Sequence, residues 1–256
     1  GLTMVNKLKN RVITAVLAAA MLVTMTPFVA LDAYAATGTM YITEAGASQP
    51  TAVNMANDAN GTGWSYDADE GVLLLDNFNG QGITADTDLN IKIKGDCTIA
   101  MPDASEESFI YGITTTAGSV TIDAMNGSSD SLTFEAEANP DSYAYFYAID
   151  ASYDINLEGG CINFDLTEAA GVDIEYSICG FVGTNGGTYI KNNAELNVSL
   201  NAPHATASGI LRTLYAQGSG DINIDINSKD DYDTAAVNGW LVTSGTSQIS
   251  LSHPSN

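Results

Sequence analysis

The sequence predicts an all-β protein that folds as a right-handed parallel β-helix, a coil of stacked three-stranded rungs. Two observations lead to this prediction. Apolar residues recur 30, 36, 33, 32 and 27 residues apart, and a strand with alternating apolar and polar residues begins six to eight positions after each. These recurring residues, called anchors here, are Ile83, Ile113, Ile149, Val182, Leu214 and Leu241. A β-sandwich is the structural alternative, because short alternating strands with turn signals suit that fold as well.

The first 35 residues have the features of a secretory signal peptide. Three basic residues within 7–11 precede an apolar run over 12–23, which is shorter than the roughly 20 residues of a membrane span. Residues 33–35 read Ala-Tyr-Ala, a small-x-small cleavage site. We therefore expect cleavage before Ala36, a secreted or envelope-associated location, and no insertion of the mature protein into a membrane. An uncleaved membrane anchor is the alternative.

The mature chain is strongly acidic and poor in cysteine. Without the leader it keeps five basic and 30 acidic residues, a net charge of −25. Such a charge repels nucleic-acid phosphates and anionic lipid surfaces, so we expect neither as a direct partner. Cys97, Cys161 and Cys179 are too few for a disulfide-dependent fold and lack CxxC spacing, so we interpret them as small buried hydrophobic residues.

Residues 36–80 differ from the repeats that follow them. After a first strand and a loop, residues 61–78 read as two apolar strands around an acidic turn, which indicates a hairpin. A solenoid needs a terminal element that shields the open end of its core, and Trp64 and Tyr66 make this hairpin suitable for that role. We therefore predict an N-terminal cap over 36–80 and β-helix rungs over 81–256.

Each rung is expected to contain three strands separated by polar bends rich in Gly, Asn and Asp. The alternating strands that follow the anchors begin at Leu89, Val120, Ile155, Thr188, Ile222 and Ile249. Because stacked rungs align in register, equivalent outward residues should form columns. One predicted column is Asn90, Thr121, Asn156, Tyr189, Asn223 and Ser250. The neighbouring predicted column is Asp88, Ser119, Asp154, Thr188, Asp221 and Gln248.

Exposed aromatic side chains beside polar residues are features of a glycan-binding surface. The candidate ligand-binding residues, which are aromatics near loops and carboxylates of the second column, are Tyr189, Tyr215, Tyr232, Asp88, Asp154 and Asp221. The densest aromatic cluster lies at 143–147, with Tyr111 one rung earlier. Because Tyr145 and Tyr147 share the parity of the anchor Ile149, we interpret them as interior or corner residues.

Two acidic loops are candidate calcium sites, because Ca²⁺ prefers several carboxylate and carbonyl oxygens from flexible loops. The candidate ligands are Asp67, Asp69 and Glu70 in one loop and Asp230, Asp231 and Asp233 in the other. Neither loop has the spacing of an EF-hand or of an RTX repeat. Solvated turn residues without a metal are therefore the alternative interpretation.

No constellation of residues points clearly to catalysis. A polysaccharide lyase needs a cationic base, and Arg212 is the only arginine of the mature chain, with Lys191 as the nearest alternative. A glycoside hydrolase needs paired carboxylates about 5–10 Å apart, a distance that members of the acidic column could meet. We therefore expect a protein that is not an enzyme, with a lyase or hydrolase on a β-helix scaffold as the alternative.

The segment 61–99, GTGWSYDADEGVLLLDNFNGQGITADTDLNIKIKGDCTI, resembles a pattern in secreted surface proteins of Gram-positive gut and soil bacteria. In that pattern a GWxYD-type hairpin leads into I-x-A-x-x-D-L-x-I-x-x-x-G rungs. The resemblance implies a right-handed parallel β-helix on the cell envelope, often described as carbohydrate-binding or adhesive, and it supplies no catalytic residues. The sequence stops within a rung at 253–256, which favours a fragment of a longer protein. We thus expect binding to polysaccharides or host glycans, with a structural stalk that has no specific ligand as a further alternative.

Overall fold

A computed structural model describes residues 37–102, 108–139, 144–172, 176–229 and 234–252. These residues form a β-solenoid of about five turns, as predicted, and not a β-sandwich. The strands are β1 Thr39–Glu44, β2 Thr51–Asn54, β3 Ala59–Gly61, β4 Trp64–Asp67, β5 Val72–Asp76, β6 Asn79–Ala85, β7 Leu89–Lys94, β8 Asp96–Ala100, β9 Ser108–Thr115, β10 Val120–Ala124, β11 Ser131–Ala138, β12 Ala144–Ala151, β13 Ile155–Leu157, β14 Cys161–Glu168, β15 Tyr176–Ile190, β16 Glu195–Ala202, β17 Ala205–Ala216, β18 Ile222–Ser228, β19 Ala235–Asn238, β20 Leu241–Thr243 and β21 Ile249–Ser252. A 3-10 turn spans Gly127–Ser129.

Three faces of stacked parallel strands run along the solenoid. The first face contains β5, β7, β10, β13, the C-terminal parts of β15 and β17, and β20. The second face contains β8, β11, β14, β16, β18 and β21. The third face contains β6, β9, β12, the N-terminal parts of β15 and β17, and β19. The prediction of three strands per rung is therefore confirmed.

Alternation along the strands fills the interior with apolar side chains. In β18, Ile222, Ile224 and Ile226 are buried, and the residues between them are exposed. Equivalent residues of successive rungs then stack inside the solenoid. Phe134 pairs with Phe164 in the next rung, and both are completely buried. Such full burial of apolar area is the main source of stability for this fold.

The N-terminal end of the solenoid is closed by antiparallel strands. Strand β4 pairs antiparallel with β3 and β5, and β1 pairs antiparallel with β2 and β6. Trp64 and Tyr66 of β4 are buried in the core, and Trp64 Nε1 donates a hydrogen bond of 2.8 Å to Glu44 Oε1. This bond ties the hairpin to β1. The structure thus contains an antiparallel hairpin of β4 and β5 where the sequence predicts one.

The first three anchors stack on the third face, but the last three do not continue that column. Ile83 pairs with Ile113, and Ile113 pairs with Ile149. The next members of the column are Phe181, Ile210 and Val237. Val182 is one residue out of register, whereas Leu214 and Leu241 belong to the first face. The prediction of these three anchors was wrong.

A shortening of one corner explains this error. In the fourth rung five residues separate Val182 from Thr188, where the chain turns from the third face to the first. In the fifth rung only two residues separate the equivalent Leu211 and Leu214. A constant spacing therefore selects Leu214, which lies past the corner.

Small residues immediately precede every true anchor. They are Gly82, Gly112, Ala148, Gly180, Gly209 and Ala236. At Gly112 an added Cβ would lie 2.5 Å from Phe134 Cδ1 and 2.7 Å from the carbonyl oxygen of Ala148. The strands of the third face bend toward the core at this position, so a larger side chain does not fit.

A ladder of asparagine side chains follows the second face. Asn163 Nδ2 donates to Thr133 Oγ1 at 3.2 Å, Asn197 Nδ2 donates to Asn163 Oδ1 at 3.0 Å, and Asn223 Nδ2 donates to Asn197 Oδ1 at 3.0 Å. Asn223 therefore stacks on Asn197, and its predicted place in the column of Asn90 was wrong. The register puts Tyr215 in that column after Tyr189.

All three cysteines are free thiols. Cys97 is buried, as expected, because it pairs with the inward Leu132. Cys161 and Cys179 are only half-buried, so the interpretation as core residues was wrong for these two. Asn197 Nδ2 donates to Cys161 Sγ at 3.3 Å, so this thiol is hydrogen-bonded to a member of the asparagine ladder.

Candidate functional site: aromatic clusters on the outer faces

Four aromatic rings lie together on the outside of the third face. Phe109 and Tyr111 come from β9, and Tyr145 and Tyr147 are their partners in β12. The ring centroids of Phe109 and Tyr145 are 4.9 Å apart, and those of Tyr111 and Tyr147 are 5.2 Å apart, both in stacked orientation. Phe109 is 59% exposed and Tyr145 is 37% exposed. We call these four residues the third-face aromatic cluster.

The interpretation of Tyr145 and Tyr147 as interior or corner residues was wrong. Ala148 and Ile149 are both buried, so the alternation of inward and outward residues breaks between them. Residues before the break therefore have the opposite parity from the anchor, and Phe146 points inward in place of its two tyrosine neighbours. The same break follows Tyr111, where Gly112 and Ile113 are both buried.

The stack of rings ends after two rungs. In the next rung the partner of Tyr145 is Ser177 and the partner of Tyr147 is Cys179. These side chains are too small to cover a six-membered ring. The rings of Tyr145 and Tyr147 therefore have an aromatic neighbour in the preceding rung and none in the next rung.

The phenols of Tyr111 and Tyr147 are neutral at physiological pH. Desolvation by burial, followed by interactions with Cys179 and nearby phenols, raises the pKa of Tyr147 to about 12. Burial also raises the pKa of Tyr111 and, to about 11, that of Cys179, with a smaller contribution from Asp150 in both cases. The phenols therefore keep their protons as hydrogen-bond donors, and the Cys179 thiol is not ionised to the nucleophilic thiolate.

A second aromatic pair lies on the first face and consists of two predicted site residues. The rings of Tyr189 and Tyr215 stack with centroids 4.3 Å apart and an interplanar angle of 3°. An added Cβ at Gly187 would lie 2.7 Å from Tyr215 Cε2, so the glycine leaves room for this ring. Lys191 Nζ lies 5.7 Å from the centroid of Tyr189 and donates to Asn156 Oδ1 at 2.8 Å. Both ring faces of Tyr189 thus have neighbours.

The predicted carboxylates do not form one site. Asp88 and Asp154 lie in one column with Ser119 between them, and each accepts a backbone hydrogen bond from the next rung, from Ser119 N at 2.8 Å and from Gly187 N at 3.0 Å. Asp221 lies at the start of β18 on the second face, so its predicted place in this column was wrong. Thr188 was misplaced too, because it is buried in register with Ile155.

A groove of about 400 Å³ on the second face brings together carboxylates that the sequence did not single out. Glu135 and Asp165 are direct neighbours in the pairing of β11 with β14, and Glu137 and Thr167 form the next outward pair. Desolvation raises the pKa of Asp165. The signal for this pair was present in the sequence, since SLTFEAE and CINFDLT align at these positions once the bends are matched.

The first predicted calcium loop is a tight turn. Asp67 Oδ1 accepts a hydrogen bond of 3.0 Å from the backbone N–H of Glu70, and Asp67 and Glu70 line a shallow groove together with Lys92. Among the described residues, no group of three or more His, Cys, Asp and Glu side chains could hold a metal ion. Asp230, Asp231 and Asp233 of the second loop, and Tyr232 within it, lie outside the described residues.

His204 and Glu168 form an additional polar cluster at the corner between the second and third faces. His204 Nδ1 lies 2.6 Å from Glu168 Oε1, and the backbone N–H of His204 donates to Glu168 Oε2 at 3.0 Å. The hydroxyl of Tyr176 donates to the same carboxylate at 3.1 Å, and burial followed by the charge of Glu168 raises the pKa of Tyr176. Three donors thus fix a nearly buried carboxylate, which favours a structural role.

Arg212 occupies the shortened corner with a positive φ of 80°. A lyase would require carboxylates beside this arginine, and within the described residues Arg212 has no ion pair.

The fold and its surface define a class, a β-solenoid that displays aromatic clusters on its outer faces. Comparison of the chain with protein-family models, with curated proteins and with solved structures finds no match in any of the three. No helix of the described residues is long and apolar enough to cross a membrane.

Proposed function

We propose that this protein is a secreted or cell-surface β-solenoid that binds glycans without catalysing a reaction. The observation that carries the proposal is the third-face aromatic cluster, whose stack stops at Ser177 and leaves ring surface of Tyr145 uncovered. Extracellular location rests on the predicted leader over residues 1–35.

A sugar ring is a suitable occupant for such a surface. One face of many pyranoses presents C–H groups, which pack on an aromatic ring, while the hydroxyl groups at the edge need hydrogen-bond partners. The open ring of Tyr145 supplies the apolar area, and the neutral phenols of Tyr111 and Tyr147 supply the partners. The acidic surface of the chain favours neutral or basic polysaccharides over anionic ones.

Binding to a panel of immobilised polysaccharides, with calcium and with a chelator, tests the proposal. A ring-deletion variant, Phe109→Ala with Tyr145→Ala, should weaken binding at least about tenfold, since buried aromatic anchors dominate many interfaces. A sharper variant is Ser177→Phe, which should also weaken binding. The new ring extends the stack and covers the exposed face of Tyr145 without removing any ring.

The matched control for Ser177→Phe is Ser199→Phe, which adds the same ring at an exposed position of the second face. The control should bind like the unchanged protein. Absence of binding to every polysaccharide, or equal binding by Ser177→Phe and Ser199→Phe, contradicts the proposal. A structural stalk without a ligand would give the first of these results.

A glycoside hydrolase is the second candidate, because Glu135 and Asp165 lie side by side in a groove and the pKa of Asp165 is raised, as a general acid requires. The test is an assay for reducing ends released from polysaccharides. Release by the unchanged protein that is lost in both Asp165→Asn and Glu135→Gln would support this candidate. Release that persists in both variants would exclude these residues as the catalytic pair.

A further inference from the structure

A single carboxylate lies on the third face beside the aromatic cluster. The outward residues of β12 are Tyr145, Tyr147 and Asp150, and the bend at Ala148 lies between the last two. The strand segments on either side of β12, which are β9 and residues 176–182 of β15, contain no Asp, Glu, Lys or Arg. Asp150 is therefore the one charged residue of these three neighbouring segments.

The charge of Asp150 acts on the rings of the cluster. Desolvation is the main reason why the pKa values of Tyr111, Tyr147 and Cys179 are raised, and the charge of Asp150 contributes to all three. The interaction between two charges falls off with their separation, so the carboxylate lies near both phenols and the thiol. The aromatic rings and this carboxylate thus belong to one surface.

The charge of Asp150 is poorly compensated within the protein. Among the described residues, this half-buried carboxylate has one hydrogen bond, a long one of 3.4 Å from Thr184 Oγ1, and it takes part in no ion pair. Its neighbours in the adjacent rungs are Thr114 and Val182. Desolvation by burial raises the pKa of Asp150, and the hydrogen bond from Thr184 opposes this only in part. A carboxylate in such surroundings is stabilised by a ligand that brings a positive charge.

We propose that the ligand of the third-face aromatic cluster is a saccharide with free amino groups, and that Asp150 binds one of its ammonium groups. This inference rests on the glycan-binding function proposed above and narrows the class of glycan. An ammonium group forms charge-assisted hydrogen bonds with a carboxylate and is attracted to the faces of aromatic rings. It therefore suits the place where Asp150 adjoins the ring of Tyr147. An N-acetylated sugar has a neutral amide instead and leaves the carboxylate without a counter-charge.

The ligand is an oligosaccharide and not a single sugar unit. Asp150 follows Tyr145 by five positions, which corresponds to at most about 17 Å along a β-strand. One unit that packs on Tyr145 therefore does not reach the carboxylate, whereas a chain of several units that lies along β12 contacts both.

Isothermal titration calorimetry with two tetrasaccharides tests the inference. One consists of glucosamine units with free amino groups, and the other is its N-acetylated counterpart, which has the same rings and linkages but no charge. The titrations are made at about pH 6, where amino groups are protonated. The unchanged protein should bind the free-amine form at least about tenfold more tightly, and in Asp150→Asn the ratio of the two dissociation constants should fall at least about tenfold.

Asp96→Asn is the matched control. It removes the same charge from a carboxylate of the second face that also accepts a hydrogen bond from one hydroxyl group, that of Ser131 at 2.9 Å. This control should keep the ratio of the unchanged protein. An equal fall in both variants would indicate a general attraction between an acidic chain and any cation, and it would overturn the inference. Polylysine that competes as strongly as the free-amine tetrasaccharide would overturn it too, because the sugar rings would then contribute nothing.

The outcomes separate this inference from the proposed function. Equal binding of the two tetrasaccharides, or tighter binding of the N-acetylated form, overturns the inference and leaves glycan binding in place. The same holds if the free-amine form does not bind although a polysaccharide of the panel does. A protein that binds neither tetrasaccharide and no polysaccharide overturns both. Circular dichroism of Asp150→Asn shows that the variant is folded, since removal of this poorly compensated charge should not destabilise it.

Discussion

Replacing Thr188 with valine is expected to stabilise the protein. Thr188 is completely buried in a column of inward residues between Ile155 and Leu214. Its hydroxyl oxygen has no hydrogen-bond partner among the described residues. Burial of an unpaired hydroxyl costs about 1–3 kcal/mol, and valine keeps the shape of threonine while removing that cost.

The free energy of unfolding should therefore rise by about 1–3 kcal/mol in Thr188→Val. For a chain of this length, about 1 kcal/mol corresponds to 2–4 °C in Tm, so the expected increase is about 2–12 °C. Urea unfolding followed by circular dichroism measures the change as a higher midpoint with an unchanged slope.

Thr115→Val is the matched control, because it makes the same change at a buried threonine whose hydroxyl is used. Thr115 Oγ1 donates to the carbonyl oxygen of Gly118 at 2.6 Å and accepts from Ser152 N at 3.4 Å. This control should lower the free energy of unfolding by about 1–3 kcal/mol, since both partners lose a bond. A lower urea midpoint for Thr188→Val, or shifts of the same sign in the two variants, would refute the reasoning.

Three further predictions concern the ladder and the third face. Asn197→Ala should lower the free energy of unfolding by about 1–2 kcal/mol, more than Asn227→Ala, because Asn197 donates to two partners and Asn227 to one; urea midpoints measure both. Folding raises the pKa of Tyr147 to about 12. The contribution of this phenol to the free energy of unfolding should therefore be fully present below pH 10 and be lost as the pH rises toward 12. Tyr147→Phe should flatten that fall in unfolding curves. Asp150→Asn should stabilise the protein at neutral pH, because burial raises the pKa of this carboxyl, and the gain should vanish in acid, where the aspartic acid is neutral in both states; a gain that is independent of pH would contradict this.

The features of the fold that depend on local pattern were predictable from the sequence. Strand alternation, the polar bends and the hairpin that contains Trp64 are each encoded by a few neighbouring residues. The solenoid class could therefore be predicted from them. The register of the rungs could not be predicted in the same way, because it depends on the number of residues in each corner. A signal for the register was nevertheless present, since Gly or Ala precedes Phe181 and Ile210 but not Val182 or Leu214.

The candidate site was harder to predict for a related reason. Parity along a strand assigns inward and outward residues only while the strand is regular, and the bend at Ala148 reverses it. The aromatic residues at Tyr145 and Tyr147 were therefore noticed but placed on the wrong side. Tyr189 and Tyr215, by contrast, lie together because the fourth rung keeps its register on the first face, although nothing in their sequence spacing required Tyr215 to join that column.

The corner between the third and first faces differs in length from rung to rung while the strands on either side stay aligned. Four residues fill it in the first and third rungs, five in the second and fourth, and two in the fifth and sixth. Closure entropy grows slowly with loop length, so extra residues at this corner cost little. The corner is thus the natural insertion point of the scaffold, where evolution or a protein engineer can lengthen a loop beside either aromatic cluster without rebuilding the core.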